Sequence, residues 1–209
     1  MAAKGTRPRT RIQQKNTSAI LDAALDVFSA NGFRGATVDQ IAKAAGLSKP
    51  NLLYYFPSKE AMHQTLLAGL LDTWLAPLRA LDPEGDPVEE ILSYAGRKLE
   101  MSREMPRESR LFANEVLQGA PNLEGVLKAH LKPLVDEKAA VIAGWSADGR
   151  LAPLHPYHLI FSIWALTQHY ADFDVQVRTV LPEIEAGDPF PEASRHIETM
   201  FRKMLEPGG

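Results

Sequence analysis

Apolar residues first fall into a helical rhythm between Thr17 and Asn31, where Ile20, Ala24, Val27 and Phe28 share one face and Gly32 closes the run. A second rhythm follows at Val38, Ile41, Ala42 and Ala45. Thr37 stands before it as an N-cap, and Gln40, three residues on, completes a T-x-x-Q capping box. Gly46 suits the left-handed turn that would end this helix. Ser48 then caps a third helix whose first turn takes Pro50, a position where the missing amide costs nothing. Leu52 and Phe56, four apart, form its apolar stripe and leave Lys49, Asn51 and Tyr55 pointing outward. Two short helices joined by a tight turn, with small residues Ala42, Ala45 and Gly46 between them and a polar, aromatic second helix, describe a helix-turn-helix reader of DNA. Ordinary all-α packing has the same pattern, and the flanking residues must decide.

Beyond Lys59 a long apolar helix runs through Leu66, Leu67, Leu70, Leu71, Trp74, Leu75 and Leu78. Pro77 within it predicts a kink or an end near Trp74. Pro83 to Pro87 is a loop, and Val88, Ile91, Leu92, Leu99 and Met101 mark the next helix. Met105-Pro106 breaks the chain before a helix over Glu108–Leu117, and Gly119-Ala120-Pro121 stops it again. Leu127 to Trp145 forms a longer helix ending near Asp148-Gly149, His155 to Phe173 a strongly apolar one, and Glu192 to Leu205 the last, after a loop rich in Pro, Gly and acids. With no alternating run and no internal repeat, the fold class is all-α, about nine helices, three of them in an N-terminal helix-turn-helix domain and the rest in a C-terminal helical bundle. The expected division is a basic flexible arm over 1–16, a DNA-binding domain over 17–60 and a ligand-binding and dimerisation domain over 61–209.

Charge sharpens this division. Residues 1–60 carry nine Lys or Arg against four Asp or Glu, a balance of +5, whereas residues 61–209 carry 14 against 22, a balance of −8. A basic front and an acidic body imply that only the front meets a polyanion. The polar stretch Met1–Asn16, with Lys4, Arg7, Arg9, Arg11 and Lys15, reads as a disordered arm that tracks phosphates or enters a minor groove. The absence of cysteine removes disulfides, thiol nucleophiles and thiolate metal sites, and fits a reducing cytoplasm. No signal peptide and no apolar run of about 18 residues appear.

The basic arm, Asn31-Gly32-Phe33, Thr37-Val38-x-x-Ile41-Ala42-x-x-Ala45-Gly46-Leu47-Ser48, Tyr54-Tyr55-Phe56 and Ser58-Lys59-Glu60 together resemble the TetR family of one-component bacterial regulators. Leu53 departs from the pattern, since many members carry tyrosine there. NLLYYFPSKEA at 51–61, LDTWLAPLRA at 71–80, SRLF at 109–112, DEKAAVIAGW at 136–145 and WALTQHYADF at 164–173 are similar to the pyrimidine-utilisation regulators of that family. The resemblance implies a cytoplasmic homodimer on the bacterial nucleoid, a pseudo-palindromic double-stranded DNA operator, and no catalytic activity. It further implies a uracil or thymine effector in the C-terminal domain that relieves repression of pyrimidine or nitrogen metabolism genes. No other cofactor is implied.

From the same resemblance, Ser48, Lys49, Pro50 and Asn51 approach base edges or the sugar-phosphate wall, while Thr37, Tyr54, Tyr55 and Lys59 hold phosphates. Asn suits adenine, Lys suits guanine, and hydroxyls suit phosphate oxygens. Tyr54 is equally readable as a core aromatic. Lys59→Ala is expected to weaken binding to all DNA alike and flatten the salt slope by about one unit. For the effector, a flat ring with alternating donors and acceptors, Trp164 and Gln168 lie four apart on one helix face, and Gln168 offers both a donor and an acceptor. Trp74 offers an aromatic wall, with Phe112 and Leu78 as further lining residues. Without the resemblance, both tryptophans read as core. The helices Pro156–Phe173 and Glu192–Leu205 are expected to pair with their symmetry mates in a four-helix dimer interface, setting the recognition helices about 34–36 Å apart or a near multiple. The rivals are a TetR-like repressor of a hydrophobic drug or acyl ligand, which needs a large greasy cavity, and a helical metal hydrolase built on His155, His158, His169 and Asp172.

Overall fold

The computed structural model describes residues 11–183 and 187–207, all of it helix, turn or loop, with no strand among the described residues. Ten helices are present there: α1 Arg11–Gly35, α2 Val38–Ala44, α3 Lys49–Tyr55, α4 Lys59–Arg79, α5 Pro87–Glu104, α6 Pro106–Leu117, α7 Lys132–Ala147, α8 Pro156–Asp172, α9 Asp174–Val180 and α10 Phe190–Leu205. Short turns over Glu124–Val126 and a widened π turn over Leu127–Leu131 lead into α7. Pro133 explains the widening: it has no amide for the carbonyl of Ala129, and its ring crowds that carbonyl in a regular helix. No described helix is long and apolar enough to cross a membrane. The chain divides into two compact units, Met1–Leu67 and Ala68–Gly209, so the division falls inside α4 rather than before it.

The first unit follows its capping signals closely. Thr37 accepts the Gln40 amide at 3.2 Å while the Gln40 carboxamide accepts the Thr37 N–H at 2.8 Å, which completes the capping box. Gly46, at φ 67°, ends α2 in a Schellman turn, with Leu47 N–H on the Ala42 carbonyl at 2.9 Å and Gly46 N–H on the Lys43 carbonyl at 3.2 Å. Ile20, Phe28, Ile41 and Leu52 are fully buried and join the three helices in one core. Two expectations change here. Residues 11–16 are helical and extend α1, while the rest of the expected arm, 1–10, lies outside the described residues. The expected break at Gly32 is present, at φ 65° and ψ 171°, but a further turn continues to Gly35.

In the second unit α4, α5, α7, α8 and α10 enclose a core around Leu78, Tyr94, Trp145, Ile160 and Phe201. Trp145 donates its indole N–H to the Pro83 carbonyl at 3.0 Å, which ties α7 to the loop before α5. Asp86 caps α5 by accepting the Glu89 amide at 3.0 Å, so Pro87 belongs to the helix and not to the loop. α4 does not end near Trp74: it runs on to Arg79, because Pro77 falls in the last turn, where few hydrogen bonds remain to be lost. The stretch after Phe173, expected to be loop, begins instead with α9, held by the Arg178–Asp174 pair at 2.7 Å and buried Val177.

A Cβ added at Gly46 meets nothing within 4 Å, so Gly46→Ala tests backbone conformation alone. Its left-handed φ should lower stability by about 1–2 kcal/mol, with Gly46→Asn milder. Urea unfolding checks this; an unchanged midpoint in Gly46→Ala would show that the turn is not held in this conformation.

Candidate functional site

The first candidate surface is the exposed side of α3. Leu52 and Phe56 turn into the core, leaving Lys49, Pro50, Asn51, Leu53 and Tyr54 at the surface. Ser48 caps the helix by accepting the Asn51 amide at 3.4 Å, and its own O–H remains available to donate. Lys49 reaches back to Asp39 at 2.9 Å, an exposed pair worth no more than about 1 kcal/mol and therefore easily exchanged for a phosphate or a base.

The aromatic and basic residues behind α3 are placed less uniformly than the sequence suggests. Tyr54 is 74% exposed, which removes its reading as a core aromatic. Tyr55 is half-buried rather than outward, and its hydroxyl accepts Asn16 Nδ2 at 2.7 Å, so its O–H is aimed from a position fixed by α1. Thr37 spends its hydroxyl hydrogen and its amide on Gln40. Lys59 lies over the Phe33 ring at 4.5 Å, and its ammonium donates to the carbonyls of Phe33 at 2.8 Å and Ala36 at 2.9 Å. Two of its three N–H bonds therefore fasten the start of α4 to the turn between α1 and α2, and one is left for a phosphate. His63, buried one turn later, packs edge-on against Phe28 at 4.9 Å and against Phe33 at 4.7 Å.

The second candidate lies wholly in the C-terminal unit, a pocket with about 420 Å³ of unfilled space including its mouth. Of the expected lining residues, Trp74, Phe112, Trp164 and Gln168 are all there. Leu78 is not; it sits one turn past Trp74, where α4 has entered the core. Leu71, Leu75, Tyr94, Lys98 and Leu131 also line the pocket and were not signalled by the sequence. Leu71 and Leu75 sit three residues before and one after Trp74 on the same apolar face, which could have shown them; Tyr94 and Lys98 come from another helix with no such clue.

Three of the polar groups in this pocket are held by their neighbours in distinct ways. Trp164 donates its indole N–H to the Tyr94 hydroxyl at 2.6 Å, and burial raises that phenol to about 12. Trp74, stacked on Phe112 with centroids 6.0 Å apart, has a buried indole N–H with no acceptor among the described residues. Lys98 is 3% exposed, with its ammonium 4.0 Å from the centre of the Trp74 ring, and burial pulls its pKa down to about 7 against the pull of Asp172. The Asp172 carboxyl is raised by burial and accepts the Ser109 hydroxyl at 2.5 Å. A buried donor without an acceptor costs about 1–3 kcal/mol, and the Trp74 indole N–H carries that cost here.

The metal-centre alternative finds no support in this arrangement. The rings of His155 and His158 lie 4.5 Å apart at a tilt of 47°, His169 lies on Phe173 at 5.0 Å, and Asp172 is engaged with Ser109. Among the described residues no three His, Asp or Glu side chains converge.

Comparison with known proteins identifies the family of both units. Residues 20–65 match the family described as bacterial regulatory proteins, tetR family, and residues 67–208 match YcdC-like protein, C-terminal region. The chain is 54% identical over 179 residues to the HTH-type transcriptional regulator RutR of Escherichia coli strain K12, covering 86% of this chain and 84% of that one. RutR of Shigella flexneri matches to the same extent. The fold is shared with the ketosteroid transcriptional regulator KstR2 of Mycobacterium tuberculosis, at TM-score 0.74 and 19% identity over 97% of this chain and 98% of that one. It is shared also with AibR, solved in complex with isovaleryl coenzyme A and operator DNA, at TM-score 0.67 and 17% identity over 88% and 97%. The chain belongs to the TetR family, as a ligand-responsive DNA-binding transcriptional regulator and not an enzyme.

Proposed function

We propose that this regulator is a cytoplasmic homodimeric repressor whose effector is a small dioxo pyrimidine, uracil or thymine, bound in the pocket of the C-terminal unit. The observation that carries the reading is the buried indole N–H of Trp74, which has no acceptor, in a pocket where Gln168 adds a carboxamide and aromatic rings supply the walls. A uracil ring offers carbonyl acceptors at its edge and a flat face for packing. A hydrophobic drug or the hydrocarbon tail of an acyl ligand would leave the indole N–H and the buried Lys98 unmatched, which counts against that alternative.

The operator side of the proposal assigns base contacts to Lys49 and Asn51 with Ser48 and Pro50 against the backbone, and phosphate contacts to Tyr54, Tyr55 and the remaining N–H of Lys59. Thr37 keeps the end of α2 in place and contacts phosphate only through what its capping box leaves over. The dimer is proposed to form through α8 and α10. Exposed Phe161 and Phe173, with Ser162 and Ala165 also at the surface between them, give α8 an apolar and closely approachable face.

Coupling is proposed to run along α4. Lys59 at its start fastens the turn behind the reader, and Leu71, Trp74 and Leu75, about four turns on, line the pocket. A thousandfold loss of operator affinity requires the effector to prefer the non-binding state by about 4 kcal/mol, within reach of a few hydrogen bonds and a packed ring.

Calorimetric titration with uracil and thymine should show binding, and Gln168→Ala should weaken it by about tenfold or more. Absence of binding for either pyrimidine would remove the effector assigned here. On operator DNA, Asn51→Ala should relax sequence preference by about 1–3 kcal/mol. Lys59→Met should lower the melting temperature as well as DNA affinity, because it leaves two carbonyls without their donor. A flatter salt slope with an unchanged melting temperature would mean that Lys59 serves phosphate alone.

A further inference from the structure

This inference rests on the assignment of Lys49 to a base contact and concerns what aims that side chain. A lysine is a poor reader by itself. Its ammonium is a compact charge on a flexible stem, without the fixed fork by which an arginine orients itself on paired acceptors. Lys49 is the first residue of α3, and its side chain is half-exposed. Ordering such a chain only at the moment of binding costs affinity at the very sites it has to recognise.

The surroundings of Lys49 supply what it lacks. Its Nζ donates to Oδ2 of Asp39 at 2.9 Å, across the turn between α2 and α3. Asp39 is the one carboxylate in residues 27–59, a stretch that otherwise carries Arg34, Lys43, Lys49 and Lys59. A carboxylate facing a polyanion weakens binding to every DNA sequence, so its position on this surface calls for a reason. Fold stability gives only a small one. The ion pair is exposed on both sides and worth little, and Asp39 adds its charge to a helix start already closed by the Thr37–Gln40 capping box. Its place is nevertheless well fixed. Asp39 is the second residue of α2, between that box and fully buried Ile41, and the left-handed Gly46 turn sets α3 against α2.

We propose that Asp39 is a positioning residue for sequence recognition, holding the Lys49 ammonium at the start of α3 so that its two remaining N–H groups face a guanine. The three N–H bonds of Nζ divide to suit this. One is spent on Asp39 and two are left, the number that guanine O6 and N7 accept in the major groove. The pair is weak enough to be given up to a phosphate on unrelated DNA, but a guanine does not require it to be given up. Asp39 therefore lowers affinity for all duplexes through its charge and raises the part of the affinity that depends on sequence.

The full chain, without effector, is used to select a preferred duplex from a random-sequence pool, and its affinity for that duplex is compared with that for a scrambled duplex of the same composition. Asp39→Ala removes the charge and the acceptor together from an exposed helical position. It should tighten binding to the scrambled duplex and reduce the ratio of selected to scrambled affinity by about threefold or more. Loss of a repelling charge alone would strengthen both duplexes alike, and damage to the fold would weaken both alike; either result leaves the ratio unchanged and overturns the proposal. Lys49→Met should reduce the ratio as well, and Asp39→Ala added to Lys49→Met should change it no further. A further drop in the double variant would mean that Asp39 touches a base itself, which overturns its role through Lys49 while the assignment of Lys49 stands. If the full chain prefers no sequence, or if Lys49→Met keeps the full ratio, the base-contact assignment of Lys49 falls, and this inference with it.

Discussion

The arrangement depends on α4 remaining a single helix from Lys59 to Arg79. A proline inside a helix costs about 3 kcal/mol or more where it breaks the ladder, yet Pro77 stands three residues beyond Trp74, in the final turn. The register from Leu71 through Trp74 to Leu75 is therefore preserved, and with it the wall of the pocket. One turn further, Leu78 has passed into the core and no longer lines it. At the other end Lys59 makes two bonds to backbone carbonyls and covers Phe33, so the helix start is fixed to the turn that leads into α2. The coupling proposed along α4 requires this helix to carry a displacement at Trp74 toward its start.

Features that depend on neighbouring residues were legible in the chain. The T-x-x-Q box at Thr37, the glycine after α2, the serine cap with Pro50 behind it, and the breaks at Met105-Pro106 and Gly119 each act within four or five residues, and each appears as read. Helix faces were legible too: Trp164 and Gln168, four apart, do share the pocket. What sequence spacing could not show is which helix faces which. Tyr94 joins Trp164 across 70 positions, and Lys98 meets Trp74 from a different helix altogether. A lysine at the end of an amphipathic run looks like a solvated charge until its partner helices are in place. The same limit explains Lys59, for which the family resemblance implied a phosphate contact while its partners are carbonyls 23 and 26 residues earlier. α9 was missed for a local reason, since Val175, Val177 and Val180 are β-branched and disfavour helix, a preference offset by the Asp174–Arg178 pair and the burial of Val177.

Two lysines over aromatic rings thus serve opposite ends of the same design. Lys59 is partly buried but satisfied by two carbonyls, and it stabilises the fold. Lys98 is more deeply buried and has a π face, worth only about 0.5–2 kcal/mol, and the pull of Asp172 to set against the burial cost. The difference separates a lysine satisfied by backbone carbonyls from one without a hydrogen-bond acceptor among the described residues.

The direction of the Lys98 shift carries this further. Its pKa in the folded chain, about 7, lies below the ordinary lysine value of 10.5. Between those values the unfolded chain holds a proton that the folded chain lacks, so stability rises with pH across that window and is flat below it. At neutral pH and below, the folded protein with an empty pocket carries the full cost of this buried cation, and the Trp74 N–H adds a second unsatisfied group in the same place. A ligand that supplies acceptors to both relieves a penalty already present, rather than adding contacts to a relaxed site. If that relief is confined to the arrangement of α4, α5 and α8 that brings Trp74, Lys98 and Gln168 together, the proposed effector would gain a preference for that conformation. A greasy pocket of the same size would bind its ligand through surface burial alone, which is less sensitive to small shifts of one helix. On the proposed function, it is the unsatisfied donors that would let a pocket this small favour one state of the chain over another.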